Sequence, residues 1–317
     1  MNASPGYRER RMLQMAASAS VFTAVLLLVV KAYAWWVSGS VSVLASLADS
    51  LIDALASCVN FIAVRYALQP ADEDHRFGHG KAESLAGLGQ SLLIMGSAIY
   101  LMVQAVDRML NPQPLVQVDM AVGVMSFSIV ATFCLVMYQR WVIRHTQSVA
   151  IKADSLHYVS DLLTNLGIVA ALVLTQFGWQ QVDPLLAIAL AIYIFYTAIM
   201  IWVESVQHLL DRELPEDEQE RIMDIALAHA EVLGVHELRT RQSGRIKIIQ
   251  LHVELDGEMP LWRAHEICED VEQELRDAFP RSDVLLHQDP FRPKHGKKGR
   301  RKHRVVSGIT SAEYPAH

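Results

Sequence analysis

The sequence predicts an α-helical membrane protein with six transmembrane helices and a small soluble α+β domain of order α-β-β-α-β. Two observations support this fold class. Of the 317 residues, 52% are hydrophobic, and they are concentrated before about Leu210, whereas charged residues crowd after it. A soluble chain of this length normally has a lower apolar content. We therefore expect a transmembrane domain over residues 13–210, preceded by a short segment over residues 1–12.

Six apolar stretches are long enough to cross a hydrocarbon core, which needs about 20 residues. The basic residues before the first stretch resemble the start of a signal peptide, but the apolar run is too long and no cleavage site closes it. We therefore expect a spanning helix there as well. The six predicted spans are Leu13–Trp36, Val41–Ala67, Leu85–Val106, Met120–Val142, Leu156–Phe177 and Pro184–Leu209.

The connections between these spans differ in charge. The N-terminal segment and the second and fourth connections are basic, whereas the first, third and fifth together hold one arginine. Because basic loops stay on the cytoplasmic side of a membrane, we expect both termini to be cytoplasmic. The basic residues that support this orientation are Arg8, Arg10, Arg11, Arg65, Arg76, Lys81, Arg140, Arg144 and Lys152.

After the last span, the chain alternates between helix and strand patterns. DRELPEDEQERIMDIALAHAEV predicts an amphipathic helix, and VHELRTRQSGRIKIIQLHVEL predicts a hairpin that turns at Ser243 and Gly244. LWRAHEICEDVEQELRDAF predicts a second helix, stopped by Pro280, and DVLLHQD predicts a third strand. These elements predict an α+β domain over residues 211–290. The basic sequence over residues 291–317 lacks apolar periodicity and predicts a disordered tail.

Four ionisable side chains interrupt the apolar spans. Asp49 and Asp53 lie in the second span, and His157 and Asp161 lie in the fifth. The members of each pair are four residues apart, so they project from one face of a helix. A carboxylate at the centre of a spanning helix costs about 2.5–3.5 kcal/mol, so such residues rarely persist without a partner or a function. Three carboxylates and one imidazole predict a four-coordinate site for a divalent cation, which we name the membrane site.

The ligand types of the membrane site indicate which cations it would take. A mixed nitrogen and oxygen set suits Zn²⁺, Cd²⁺ or Fe²⁺ better than Mg²⁺ or Ca²⁺, which prefer oxygen ligands only. An imidazole titrates near neutral pH, so His157 could exchange a proton for a metal ion. The alternative is a hydrogen-bonded cluster that fixes helix packing, which the mutual repulsion of three acids disfavours.

A second set of metal ligands lies in the connection between the second and third spans. In ADEDHRFGHGKAE, Asp72, His75 and His79 could converge on a metal ion, with Asp74 as an alternative oxygen ligand. We name this set the loop site. A polar loop with two histidines is also often simply solvated, and the sequence leaves both interpretations open.

A third set, the soluble-domain site, lies in the predicted α+β domain. It combines four histidines with one aspartate, and five ligands are too many for one tetrahedral ion, so two metal ions that share the aspartate are plausible. Each histidine alone would more often be a core or surface residue. The set is His236, His252, His265, His287 and Asp289.

Other classes of function have less support in the sequence. It contains no GxSxG, HExxH, Walker A or GxGxxG run in a suitable context, and a site with four protein ligands leaves no open position for an activated water. We therefore do not expect an enzyme, and a membrane metal sensor without flux is the alternative to a transporter. The basic tail could attract anionic lipid or nucleic acid, but we expect a solvated tail and no nucleic acid partner. Cys58, Cys134 and Cys268 lie far apart and predict no disulfide framework.

Four segments, ADSLIDALAS, ADEDHRFGHGKAE, KADSLHYVSDLLTN and LHQDP, together resemble the cation diffusion facilitator family, in particular its bacterial zinc and iron efflux branch. The resemblance covers about Val21 to Asp289. It implies a homodimeric metal/proton antiporter of the bacterial inner membrane that works by alternating access. The implied cargo is Zn²⁺, with Cd²⁺ and Fe²⁺ as further candidates.

The resemblance also implies roles for individual residues. The membrane site matches the family's transport site, the loop site matches its inter-helix loop site, and the soluble-domain site matches a binuclear cytoplasmic site that stabilises the dimer and regulates transport. Lys81 and Asp211 match a charge interlock between the two domains, and Leu156 matches a hydrophobic gate residue beside the transport site. The long basic tail is the part that the family pattern does not explain.

Overall fold

The computed structural model describes residues 5–38, 41–110, 119–176, 182–291 and 303–304. The chain divides into two compact units between Leu209 and Leu210. The first unit consists of long helices, and the second combines two helices with a small sheet. The fold class predicted from the sequence, a helical membrane domain with an α+β domain, is confirmed.

Six long helices form the membrane domain. Five of them, all except the fifth, are long and apolar enough over the described residues to cross a membrane. The side chains of residues 168–176 in the fifth helix lie outside the described part of the chain. The bounds are α1 (Pro5–Ser38), α2 (Val41–Ala67), α3 (Lys81–Leu110), α4 (Asp119–Thr146), α5 (Val149–Gln176) and α6 (Val182–Leu209).

Three of these helices begin at least four residues earlier than the apolar stretches predict. α1 begins at Pro5 instead of Leu13. α3 begins at Lys81 instead of Leu85, and α5 begins at Val149 instead of Leu156. The start of α5 is capped because the backbone N–H of Ile151 donates to Ser148 Oγ at 3.2 Å, which satisfies one of the free donors of a helix terminus. Apolar stretches predict only the part of a helix that lies in hydrocarbon, whereas the helix itself continues through polar residues to its cap.

The outer faces of the membrane helices are apolar. Phe22 is 69% exposed and Trp36 is 80% exposed, as expected for side chains that would contact lipid. Inside the bundle, small residues let helices approach closely. A Cβ atom at Gly87 of α3 would lie 2.9 Å from Ser205 Oγ of α6 and from Val149 Cγ1 of α5, so a larger side chain would push these helices apart.

A buried hydrogen-bond network joins four of the membrane helices. Asp154 of α5 is fully buried. Its Oδ2 atom accepts hydrogen bonds from Ser20 Oγ at 2.5 Å and from Gln139 Nε2 at 2.7 Å, and its Oδ1 atom accepts one from Gln90 Nε2 at 3.2 Å. Since these donors lie on α1, α4 and α3, the carboxylate holds α5 at a fixed position among them. Buried polar groups normally find such partners, because an unpaired one is costly.

The soluble domain follows the predicted α-β-β-α-β order. β1 and β2 form an antiparallel hairpin that turns at Gly244, whose φ of 58° lies in the left-handed region. β2 and β3 run parallel, joined by the crossover helix α8. The order of strands in the sheet is β3-β2-β1-β4. The bounds are α7 (Glu216–Ala228), β1 (Gly234–Ser243), β2 (Ile246–Asp256), α8 (Leu261–Ala278), β3 (Ser282–Phe291) and β4 (His303–Arg304).

One face of this sheet packs against the two helices. Leu251 and Val253 of β2 are buried in a core with Ile267 and Val271 of α8. Because successive side chains of a strand point to opposite faces, His252 between them points to the face that the helices do not cover.

The end of the chain differs in part from the predicted disordered tail. Phe291 is the last residue of β3, and His303 and Arg304 form β4, which pairs in parallel with β1 at Gly234 and Val235. Backbone hydrogen bonding to an open strand does not require apolar periodicity, so the sequence pattern gave no sign of this pairing. The other tail residues, 292–302 and 305–317, lie outside the described part of the chain.

Candidate metal sites

The membrane site brings together side chains from α2 and α5. Asp53, His157 and Asp161 each offer one ligand atom, and these atoms lie within 4.8 Å of one another. His157 Nε2 lies 3.1 Å from Asp53 Oδ1 and 3.7 Å from Asp161 Oδ2. This nitrogen is buried and has no partner with hydrogen-bond geometry among the described residues. A ring nitrogen that faces two carboxylates is an arrangement that a divalent cation fits well.

Asp49 lies apart from these three ligands. It is one turn before Asp53 on α2 and exposed, and its carboxylate is not one of the clustered atoms in the described chain. Its place in the membrane site therefore stays a prediction. Leu156, the predicted gate residue, immediately precedes His157 and packs against an apolar cluster that includes Ile94 of α3 and Ile194 of α6.

The residue after His157 anchors the site to neighbouring helices. Tyr158 is buried, its hydroxyl lies 2.8 Å from Ser57 Oγ of α2, and it donates to the Ser20 carbonyl oxygen of α1 at 3.1 Å. The rings of His157 and Tyr158 meet edge to face, with their centroids 5.5 Å apart. These contacts restrict both the rotation of α5 and the orientation of the imidazole.

The loop site forms between the end of α2 and the start of α3. Asp72 Oδ1 lies 3.1 Å from His75 Nδ1, and Asp72 Oδ2 lies 3.2 Å from His79 Nε2. His79 is buried, its ring packs 4.5 Å from that of Tyr66, and its Nδ1 atom has no hydrogen-bond partner among the described residues. Asp72, His75 and His79 therefore form a second group able to hold a cation, whereas the alternative ligand Asp74 is not part of it.

The backbone of the loop fixes the charge of its aspartate. The backbone N–H groups of His75 and Asp74 donate to Asp72 Oδ1 at 2.6 and 3.1 Å. The hydrogen bond from the His75 N–H lowers the pKa of the Asp72 carboxyl, because it stabilises the charged form. Gly78 supplies the left-handed turn of the loop, with a φ of 75°. The carboxylate is thus ionised and oriented before any cation arrives.

The soluble-domain site follows from the register of the sheet. His236 of β1 pairs with His252 of β2, which pairs with His287 of β3, so the three histidines form a row across one face. Asp289 Oδ2 lies 3.1 Å from His236 Nε2 and 2.8 Å from His252 Nδ1. Its other oxygen, Oδ1, lies 3.4 Å from His287 Nε2. One carboxylate therefore faces histidines with both of its oxygen atoms, as a ligand shared by two metal ions would.

His265 lies away from this row within the described chain. It is exposed on α8 and its Nε2 atom lies 3.4 Å from Glu269 Oε1, one turn further along the helix. α8 covers the buried face of the sheet, whereas the histidine row lies on the opposite face. Its participation in the soluble-domain site stays a prediction.

Two glutamates beside the histidine row were not predicted. Glu254 Oε1 lies 3.7 Å from His236 Nε2, and Glu237 Oε2 lies 3.7 Å from His252 Nε2. Glu254 of β2 lies opposite Asp289 of β3 in the sheet, so a prediction of how these strands align would have identified Glu254 as a neighbour of the site. Both glutamates add negative charge around the site, which favours a bound cation.

The two residues of the predicted charge interlock each have contacts inside their own unit. Lys81 Nζ donates to the Leu209 carbonyl oxygen at 3.4 Å, and Asp211 Oδ2 accepts a hydrogen bond from Arg241 at 3.2 Å. Asp211 adopts a positive φ of 57°, which places it in a tight turn after α6. The interlock between Lys81 and Asp211 stays a prediction.

The chain is similar to known proteins over most of its length. The family model described as the cation efflux transmembrane domain matches residues 17–210, and the model for the cation efflux protein cytoplasmic domain matches residues 214–291. Among curated proteins, the cation-efflux pump FieF of Citrobacter koseri is 48% identical over 91% of this chain and 97% of its own length. FieF of Escherichia coli is 47% identical over 94% of this chain and 99% of its own length. A solved chain of CzrB is 32% identical over 25% of this chain and 98% of its own length, with a TM-score of 0.24.

The two family matches together span most of the chain and cover both of its compact units. The FieF relatives match over nearly their whole length. The protein is therefore a multi-pass membrane protein that belongs to the cation efflux family, the cation diffusion facilitators.

Proposed function

We propose that this protein exports Zn²⁺ across the bacterial inner membrane in exchange for protons, with Cd²⁺ and Fe²⁺ as further cargo. The observation that supports this most is the position of His157 Nε2, which faces the carboxylates of Asp53 and Asp161 inside the spanning helices. Ionisable groups at such a position are costly in hydrocarbon and mark ion pathways. Membership of the cation efflux family supports the direction of transport.

The choice of metal follows from the ligand atoms. One imidazole nitrogen with two or three carboxylate oxygens suits borderline cations such as Zn²⁺, whereas Mg²⁺ and Ca²⁺ favour oxygen ligands only. Asp49 would complete a four-coordinate shell if it turned towards Asp53, one turn away on the same face of α2.

Proton exchange follows from the same ligands. Metal binding requires a neutral imidazole and ionised carboxylates, so an incoming cation displaces the protons that these groups hold. When the site opens to the more acidic side of the membrane, protons compete with the metal ion and favour its release. Alternating exposure of one site to the two sides then couples the inward flow of protons to the export of metal.

The soluble-domain site would regulate this cycle. A metal ion held by His236, His252 and Asp289 links β1 to β3, and a second ion at His287 would share the same carboxylate. Metal that binds only the folded, assembled domain stabilises it by mass action. We therefore propose that cytoplasmic metal stabilises a homodimer and promotes transport.

The first test replaces Asp53 by alanine. Zn²⁺ flux into proteoliposomes with a pH gradient should be lost, because the cation loses a ligand that faces His157. The variant should keep its soluble-domain metal binding, which serves as the control for folding. If Asp53→Ala still exchanges Zn²⁺ for protons at the wild-type rate, the assignment of the membrane site is wrong. If the wild-type protein binds Zn²⁺ but moves none, the protein is a sensor without flux.

A further inference from the structure

Lys31 is a charged residue in the interior of the first membrane helix. It follows the apolar run VFTAVLLLVV and precedes AYAWW, within the candidate span Arg8–Val37. A charged side chain inside the hydrocarbon region is expensive, and such residues usually face the interior of a bundle and serve a function. None of the sites described above includes Lys31.

The ammonium group of Lys31 contacts α2. Its Nζ atom donates to Ser50 Oγ at 2.5 Å and to the Ser46 carbonyl oxygen at 3.3 Å. Within the described residues, no carboxylate lies within ion-pair distance of it, so both of its hydrogen-bond partners are neutral groups. These hydrogen bonds orient the side chain, but neither acceptor carries a negative charge that would neutralise the ammonium group.

The position of these contacts places the charge beside the membrane site. Ser46, Asp49, Ser50 and Asp53 follow the i, i+3, i+4, i+7 pattern, so they lie along one face of α2. An ammonium held at Ser46 and Ser50 therefore lies on the face that carries both carboxylates.

The positive charge of Lys31 acts on acidic residues of both helices that form the membrane site. Lys31 interacts electrostatically with Asp49 of α2 and with Asp161 of α5. Charges in a low-dielectric interior act over longer distances than they do in water. Lys31 thus partly neutralises the acids of the membrane site from the side of α1.

We propose that Lys31 is a resident counter-charge of the membrane site, which weakens the binding of the transported cation and so speeds its release. This inference rests on the proposed function. A fixed positive charge stabilises the acids when no metal ion is bound and repels a divalent cation when one enters. Without it, three acids and an imidazole would hold the cation more tightly, and release would limit turnover. Lys31 is in this sense a positioning residue that acts on the site without being a ligand.

A purely structural role would predict different behaviour. If Lys31 only tied α1 to α2 through Ser50, loss of the hydroxyl group would have the same effect as loss of the charge. The two roles are therefore separable by variants that remove the charge, the hydrogen-bond acceptor, or neither.

The experiment measures Zn²⁺ transport in proteoliposomes as a function of Zn²⁺ concentration, with KM and kcat determined separately. Lys31→Met and Lys31→Gln should both lower KM by about tenfold and also lower kcat, because the loss of a nearby positive charge tightens cation binding. Lys31→Gln keeps a hydrogen-bond donor for Ser50, so it carries the test if Lys31→Met does not fold. Lys31→Arg should keep both constants near their wild-type values, because it keeps the positive charge. Ser50→Ala should keep KM within about twofold of wild type for the same reason.

Several outcomes would overturn the inference. KM values in Lys31→Gln that stay unchanged or rise would exclude a counter-charge, and an equal effect of Ser50→Ala would assign a tether in its place. These results differ from a failure of the proposed function. If the wild type transports Zn²⁺ and Asp53→Ala does not, but Lys31→Gln behaves like wild type, only the role of Lys31 is wrong.

Discussion

His157 supplies the one nitrogen atom in a group whose other ligand atoms are carboxylate oxygens. Its Nε2 atom lies closer to Asp53 than to Asp161, and the ring is oriented by its contact with Tyr158. The identity of this single side chain therefore decides whether the site is mixed or all-oxygen. The metal preference of the protein should depend on it more than on any other residue.

The replacement His157→Asp tests this dependence. It creates an all-oxygen site, so selectivity should shift from Zn²⁺ towards harder cations such as Mn²⁺. Competition between Zn²⁺ and Mn²⁺ for flux, measured in the variant and the wild type, gives the order of preference in each. Identical orders would mean that the imidazole does not discriminate between metals. A matched control is His145→Asp, because His145 lies at the exposed end of α4, where its ring contacts its own helix at the Trp141 carbonyl oxygen.

Single site residues were predictable from the sequence where an ionisable side chain lies within an apolar span. An aspartate or histidine in an apolar span has few structural explanations, which is why Asp53, His157 and Asp161 were identified. Lys31 stood in an equally apolar run, but its importance depends on which helix it contacts. That contact is a property of tertiary packing, and no local pattern predicts it.

α5 is the helix on which the membrane site depends most, because it carries two of the three clustered ligands. Its position is set by Asp154, one turn before Tyr158, whose carboxylate accepts hydrogen bonds from three other helices. Removal of that carboxylate would break three buried hydrogen bonds to α1, α3 and α4, although Ser20 Oγ also donates to the Ala16 carbonyl oxygen and Gln139 Nε2 also donates to Ser20 Oγ. The loss of a buried hydrogen bond costs free energy, because its donor cannot bond to water instead.

We expect Asp154→Ala to lower the free energy of unfolding by roughly 2–5 kcal/mol, because three buried hydrogen bonds are lost at once. Thermal unfolding in detergent, with and without Zn²⁺, provides the measurement. Ser128→Ala is the control, because Ser128 is also buried in a span but donates only to Val124 of its own helix among the described residues. A loss no larger than in this control would show that the network does not hold α5.

The elements were predictable to different degrees. The apolar spans predicted six helices because hydrophobic length is a local property, whereas the starts of α3 and α5 depend on polar residues and a cap outside the apolar run. The strands of the soluble domain were also predictable from alternation. The alignment of His236, His252 and His287 in one row was not, because the parallel register of β2 and β3 depends on how the crossover helix α8 packs on the sheet.

The whole molecule combines cation sites in two compact units. Asp53, His157 and Asp161 lie in the membrane unit, whereas the histidine row and Asp289 lie in the soluble unit. If the first group carries cargo and the second regulates, damage to one should affect transport differently from damage to the other. Family membership gives the two units a common function, but the division of roles between the sites is a separate prediction.

The double replacement His236→Ala and Asp289→Ala tests this division. It removes two of the three clustered ligands of the soluble domain, so Zn²⁺ should no longer stabilise the domain. Metal at 100 times its Kd adds about 2.7 kcal/mol to the folded state, and we expect a loss of this size together with a weaker dimer. Differential scanning calorimetry and light scattering, each with and without Zn²⁺, measure the two effects.

His229→Ala provides the matched control, because this histidine lies in the same domain but outside the cluster, with its Nε2 atom 4.0 Å from Asp270 Oδ2. Its variant should keep the full Zn²⁺-dependent stabilisation. At saturating Zn²⁺, the double variant should retain more flux than Asp53→Ala, because the membrane site is intact and only its regulation is lost. Complete loss of flux in both variants would instead place the histidine row in the transport pathway itself.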